Sequence, residues 1–266
     1  MIPLPRKTFP SSKADLAQAL DEALHRYASK DGQIVEVHAR VFPYIDEITI
    51  NFDGAQLQLP PPQPPRLTGE TTPAVEAAVV NLSAREVSLR GLPFNLQFSA
   101  RDVVFHKAQD ENENAVIVVH NVRDGTLTIS AAQLNLEKAI EQIAKEEGRG
   151  LTIEQVRLSI RARGQRSLAL DLQVQAKKLF LRTRVDISTQ IDIDDNFTIK
   201  ISNSKCKGEG SIGSIACSTL EPMFRKLEAK SFSLKSLPLG QVHVRDIRLA
   251  VADTIELTAD FGSNAQ

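Results

Sequence analysis

Four segments of strict apolar–polar alternation follow one amphipathic helix between residues 131 and 201, and this pattern constrains the fold most. The alternation runs through residues 156–162, 168–174, 185–193 and 197–201. Strict alternation gives a strand one dry face and one wet face, which is typical of an antiparallel sheet covered on one side. The sequence therefore predicts neighbouring antiparallel strands whose apolar side needs a cover.

The helix that precedes these strands is predicted from Ala131 to about Glu147. Ser130 can cap its start, and Gly148 and Gly150 predict its end. Its apolar residues fall close to one face: Leu134, Leu136, Ile140 and Ile143. A helix beside long alternating strands predicts an α+β fold, in which a long, strongly curved antiparallel sheet wraps around one or more amphipathic helices.

Further elements are predicted on either side of this stretch. A first helix runs from Ser11 or Ser12 to about Ser29, and a third from roughly Ser214 to Ala229. The prolines of segment 60–65 predict a stiff connector, because proline has no N–H to donate to a sheet. We therefore predict an N-terminal region, residues 1–66, and a main region, residues 67–266, within one continuous structural unit.

Composition narrows the classes of partner. The chain of 266 residues has a net charge of −1, no Trp and two Tyr, which argues against nucleic acid as a partner. No apolar run approaches the roughly 18 residues of a transmembrane helix. No apolar core follows the first charges, so a cytoplasmic location is expected if Met1 is the native start. Cys206 and Cys217 leave two alternatives open, a disulfide or two reduced thiols.

The sequence lacks recognisable catalytic and metal-binding motifs, which favours a protein without enzyme activity, metal or cofactor. Gly208, Gly210 and Gly213 have the spacing of a dinucleotide loop, but the surrounding strands are predicted to be antiparallel. The five histidines lack metal-ligand spacing. His106 and His120 could meet across a hairpin, although exposed histidines on strands are the expectation. Serine nucleophile motifs are absent from the sequence.

Long apolar rows with few large aromatic side chains can be covered in two ways. The sheet closes around a filled core, as expected for a structural or interaction protein, or it leaves an apolar groove that takes up acyl chains. In the second case the ligand would contact the dry faces nearest the central helix. The candidate residues are Leu136, Ile140, Ile143, Val156, Leu158, Leu170, Leu172 and Ile187.

The strand and helix of residues 125–140 resemble the signature of the LmeA-like (DUF2993) family of bacterial envelope proteins. The ending, with Leu237-Pro238-Leu239-Gly240 before two alternating strands, is similar to that family's closing hairpin, and residues 80–105 are similar to its paired strands. The resemblance implies a tubular lipid-binding (TULIP, BPI-like) fold that binds phospholipid in an apolar groove. It also implies an envelope or periplasmic location and peripheral membrane contact, and it leaves the oligomeric state open.

Overall fold

The structure is a computed structural model that describes residues 1–60, 62–89, 91–147, 152–178, 181–233 and 242–263. Within these residues the chain forms three α-helices and fifteen β-strands, so the predicted α+β class is confirmed. Contacts divide the chain into two compact units. Unit 1 comprises Met1–Ile129, Pro238–Asp246 and Thr258–Gln266, and unit 2 comprises Ser130–Leu237 and Ile247–Leu257.

The elements follow one another along the chain with short connections. In chain order they are β1 (Ile2–Pro3), α1 (Lys13–Leu24), β2 (Ala28–Ser29), β3 (Val35–His38), β4 (Tyr44–Asn51), β5 (Gln56–Leu57), β6 (Leu67–Leu89), β7 (Leu92–Asp110), β8 (Ala115–Ala132), α2 (Gln133–Glu147), β9 (Thr152–Gly164), β10 (Ser167–Lys178), β11 (Leu181–Ile193), β12 (Thr198–Gly208), α3 (Gly210–Glu228), β13 (Ser231–Ser233), β14 (His243–Val251) and β15 (Thr254–Gly262).

The strands form two open sheets. The first has ten strands in the order β14-β15-β8-β7-β6-β4-β3, with β1 beside β8, β5 beside β6 and β2 beside β5. In it, β6 pairs antiparallel with β7 and parallel with β4 and β5. The second sheet has five strands in the order β13-β12-β11-β10-β9, and these pairings are antiparallel. The predicted alternating strands are therefore the neighbours in the second sheet.

Unit 1 has a filled core against which α1 packs. The Ser12 hydroxyl caps α1 by accepting a hydrogen bond from the Asp15 backbone N–H at 3.2 Å. Leu16 of α1 is fully buried in one cluster with Ile34 and Ile48. The helix ends at Leu24, before the predicted residue 29, because the next residues pair as β2 with β5.

The predicted boundary after residue 66 does not separate the two units. β4 and β5 precede this point but pair with β6, which begins at Leu67, so both sides share one sheet and one core. Residues 62–65 of the predicted proline connector have no regular secondary structure, and Pro61 lies outside the described residues. Local sequence patterns could not predict that β4 pairs with β6, because the two strands are not adjacent in the chain.

The helices of unit 2 differ in detail from the prediction. β8 continues without interruption to Ala132, so α2 begins at Gln133. Leu134 and Ile143 of the predicted apolar face are 57% and 58% exposed. Gly148 and Gly150, and Leu237–Gly240 of the closing motif, lie outside the described residues. α3 begins at Gly210, four residues earlier than predicted, and contains Pro222.

His106 of β7 and His120 of β8 stack in unit 1 with 3.7 Å between ring centroids. The expectation of exposed histidines is wrong for His106, which is 8% exposed because neighbouring strands bring the two rings together. The Nδ1 atom of His106 lies 3.0 Å from the Thr71 hydroxyl. Burial lowers the pKa of His106, and the adjacent His120 lowers it further.

This pKa shift predicts a pH-dependent stability. The unfolded chain binds a proton at His106 near the ordinary pKa of about 6.5, whereas the folded chain binds it only at lower pH. Because the unfolded chain then binds more protons than the folded chain, the free energy of unfolding falls as the pH drops below about 6.5. Urea unfolding at a series of pH values between neutral and mildly acidic should show a falling midpoint.

The His106→Gln variant should show a flatter pH dependence of the urea midpoint, since it removes the titrating ring. His38→Gln is the matched control, because His38 is exposed, and it should keep the wild-type dependence. Equal pH dependence in the wild type and the His106→Gln variant would contradict the interpretation.

Candidate functional site

The antiparallel register of the second sheet aligns one apolar row across four strands. Leu172 of β10 lies between Leu158 of β9 and Ile187 of β11. Ile187 in turn lies opposite Cys206 of β12. Because side chains alternate along each strand, these four residues share one face of the sheet. The row crosses the middle of the sheet and is the floor of the candidate site.

Helix α2 covers one end of this apolar face. Ile140 of α2 packs against a small buried cluster that includes Val156. Two polar side chains also attach α2 to the edge strand β9. Gln133 donates to the Leu158 carbonyl, and Glu137 accepts from the Leu158 backbone N–H, each at 2.8 Å. These bonds satisfy the backbone of an edge strand that would otherwise need water.

Helix α3 is fixed to the other side of the same face by a covalent bond. Cys217 of α3 forms a disulfide with Cys206 of β12, which settles the alternative that the sequence left open. Glu228, at the end of α3, accepts a hydrogen bond from the Ser204 backbone N–H at 2.7 Å. The hydrogen bonds that Ser204 donates lower the pKa of Glu228.

Two glycines bring the start of α3 close to the end of β12. A Cβ atom built on Gly208 would lie 2.1 Å from the Gly213 backbone, a distance that real Cβ atoms do not adopt. The glycine spacing that resembles a dinucleotide loop therefore serves close packing of helix on strand. Sequence reasoning set aside the nucleotide interpretation but did not identify this contact.

A cavity of about 1390 Å³ lies over the apolar row in unit 2. Leu158, Leu172, Ile187 and Cys206 belong to its lining, together with the residues beside them in the four strands. The helices contribute Glu137 of α2 and a longer set from α3. That set is Cys217, Ser218, Glu221, Phe224, Arg225 and Glu228. The two helices therefore border an open groove whose floor is the sheet.

The structure brings only part of the predicted set to this cavity. Leu158, Leu172 and Ile187 line it, whereas five of the predicted residues do not: Leu136, Ile140, Ile143, Val156 and Leu170. Val156 is 3% exposed beneath α2, so it is core. The contribution of α3, including Phe224, was missed. The disulfide alternative was the signal that could have placed α3 here.

Charged residues of both signs belong to the lining, but they come from both faces of the sheet. Arg184 pairs with Asp186 at 2.9 Å and Arg225 with Glu221 at 2.6 Å. The basic residues are Arg157, Arg184, Lys205, Lys207 and Arg225, and the acidic residues are Glu137, Asp171, Asp186, Glu221 and Glu228. By alternation, the charged strand residues of this set point to the face opposite Leu172 and Ile187. On the groove side the charged side chains come from the helices, and an apolar floor with charged borders suits an amphiphile rather than a pure hydrocarbon.

Within the described residues, no group of three or more His, Cys, Asp or Glu side chains is arranged to hold a metal ion. No described helix combines the length and the apolar character needed to cross a membrane.

Comparisons of the chain with protein-family models, curated proteins and solved structures found no match. The geometry of the groove is therefore the basis for a functional proposal.

The attachment of α3 predicts a redox-dependent stability. A disulfide that spans 11 residues restricts the unfolded chain, so replacing Cys206 and Cys217 by serine should lower the free energy of unfolding by about 2–4 kcal/mol. Urea unfolding followed by circular dichroism measures this difference. The wild type in reductant should match the double serine variant, which should itself be insensitive to reductant. An unchanged wild-type midpoint in reductant would show that the bond contributes nothing.

Proposed function

We propose that the protein is a non-enzymatic lipid-binding module that holds a phospholipid or a fatty acyl ligand in the groove of unit 2. One observation carries the proposal: an apolar row of Leu158, Leu172 and Ile187 lies under a cavity of about 1390 Å³ between two helices. Leu172 and Ile187 are only half-buried although they lie on the apolar face of the sheet. An acyl chain would complete their burial.

The size and the energetics of the cavity favour a lipid-sized ligand. Small-molecule sites usually measure about 300–1,000 Å³, so this groove has room for a longer or branched amphiphile. Each buried methylene contributes roughly 0.8 kcal/mol, so a chain of about twelve carbons offers roughly 9–10 kcal/mol before the cost of association. The charged side chains that α2 and α3 contribute to the lining, Glu137 and Arg225 among them, offer partners to a polar headgroup.

We further propose the finer features that the family resemblance implies. In the proposed bound state, the five-stranded sheet curves around the ligand as in the tubular lipid-binding fold, and the chain is related to the LmeA-like envelope proteins. The packing of α2 and α3 on one face of an antiparallel sheet supports this. The Cys206–Cys217 disulfide supports a location in an oxidising compartment such as the cell envelope.

The alternative function, an interaction protein with a filled core, is favoured by a different part of the chain. Unit 1 has one continuous cluster of buried residues that joins α1 to the strands, with Leu4, Leu16 and Val35 fully buried. Its described cavity near Tyr44 and Ile45 measures only about 380 Å³. In our proposal unit 1 is the stable scaffold, and ligand binding belongs to unit 2.

A tryptophan scan of the groove tests the proposal. Ile187→Trp places a large ring over the apolar row and should lower the uptake of a fluorescent fatty acid by about tenfold or more, because it fills the space for the chain. Leu134→Trp is the matched control, since Leu134 is 57% exposed on α2 and does not line the cavity. The melting temperatures of both variants should stay near that of the wild type.

Mass spectrometry of lipid extracted from the purified protein gives the ligand directly. The wild type and the Leu134→Trp variant should release the same phospholipid or fatty acid, and the Ile187→Trp variant should release far less. The proposal fails if the wild type releases no lipid and takes up no probe. It also fails if a folded Ile187→Trp variant binds the probe as well as the wild type does.

A further inference from the structure

Helix α3 turns an apolar stripe toward solvent. Ile215, Thr219, Met223 and Leu227 follow one another at intervals of four residues, so they form a single line along the helix. The side chains of Ile215, Met223 and Leu227 are 67%, 57% and 39% exposed. We call these four residues the α3 stripe.

The orientation of the stripe is set by the other side of the helix. Cys217 is bonded to β12, Gly213 lies against Gly208, and Glu228 binds the Ser204 backbone. α3 cannot rotate to bury the stripe without breaking these contacts. A rigidly displayed apolar surface on a soluble unit usually marks an interaction site.

The charges around the stripe are asymmetric. Lys226 is exposed next to Leu227, and Lys230 follows the helix. The two acidic residues of α3 lie on the groove side, where Glu221 pairs with Arg225 and Glu228 accepts from Ser204. An apolar stripe bordered by lysines complements a surface that is apolar inside and negatively charged outside.

The area of the stripe distinguishes a bilayer from a second copy of the chain. The exposed fractions of its three large apolar side chains amount to roughly 300 Å², less than half of the ~800 Å² per partner that a stable protein–protein interface buries. A helix that lies in the headgroup region of a membrane needs only such a stripe.

We propose that α3 docks on the surface of an anionic lipid bilayer through the α3 stripe, with Lys226 and Lys230 at the headgroups. In naming the source of the bound lipid, this inference rests on the proposed lipid-binding function. The opposite side of the same helix borders the groove, so docking brings the groove to the membrane from which its ligand comes.

Vesicle flotation tests the docking. The full chain should float with phosphatidylcholine vesicles that contain phosphatidylglycerol and less well with phosphatidylcholine alone. The Ile215→Glu/Met223→Glu variant should lose about tenfold or more of this binding, because two charges would enter the apolar layer. Val41→Glu/Tyr44→Glu is the matched control in unit 1, where the exposed fractions are 67% and 61%, and it should float like the wild type.

Two further measurements sharpen the test. Met223→Trp would introduce the only tryptophan of the chain, so its emission should shift to the blue when anionic vesicles are added. The emission of Val41→Trp should not change. Lys226→Glu/Lys230→Glu should bind phosphatidylglycerol vesicles more weakly and with less dependence on salt, because these lysines supply the electrostatic attraction.

Different experimental results would contradict the membrane docking and the lipid-binding function. The Ile215→Glu/Met223→Glu variant should still take up a soluble fatty-acid probe, whereas Ile187→Trp should float but show the tenfold or greater loss of probe uptake. Full flotation of the Ile215→Glu/Met223→Glu variant, or no flotation of the wild type, would overturn the docking. So would a dimer in sedimentation analysis that these two substitutions dissolve, since the stripe would then bind a second copy.

Discussion

The register of β9, β10, β11 and β12 is the constraint on which the candidate site depends. It aligns Leu158, Leu172, Ile187 and Cys206 across the sheet. A shift of one residue would move a strand's whole apolar set to the opposite face, where charged residues now lie. The same register places Cys206 where it bonds to Cys217, so the position of α3 depends on strand pairing.

The two units solve the problem of covering an apolar sheet in different ways. Unit 1 has α1 and several short strands to fill its centre, and Leu16, Ile34 and Ile48 are almost completely buried there. Unit 2 covers its apolar face at the ends and leaves Leu172 and Ile187, in the middle of the row, only half-buried. Large aromatic side chains could close such a gap, but the chain has no Trp and only 5% aromatic residues. The gap is therefore a consequence of composition as well as of topology.

Period-two alternation was enough to predict the strands of the second sheet and their antiparallel pairing. It identified Leu158, Leu172 and Ile187 as floor residues because all three lie on the dry face next to α2. Alternation could not show which dry-face residues a helix covers, which is why Val156 was placed in the groove although α2 buries it. The sequence pattern also could not predict how α2 is rotated about its axis. Ile143 is exposed, although its spacing from Ile140 predicts that both lie on the buried face. Such choices depend on long-range contacts that no local pattern contains.

Helix α3 shows how a tertiary contact can override an amphipathic pattern. Its apolar stripe would normally be expected to pack on the sheet, because that burial is the main stabilising term for a surface helix. Instead a glycine, a cysteine and a glutamate make the contacts that fix the helix to β12. Leaving Ile215 and Met223 in water gives up the free energy that burial of their side chains would contribute. A chain that gives up this burial retains an apolar surface beside its groove. In the lipid-binding function that we propose, a groove without such a surface would have to collect its ligand from water, where the free concentration of a lipid is low.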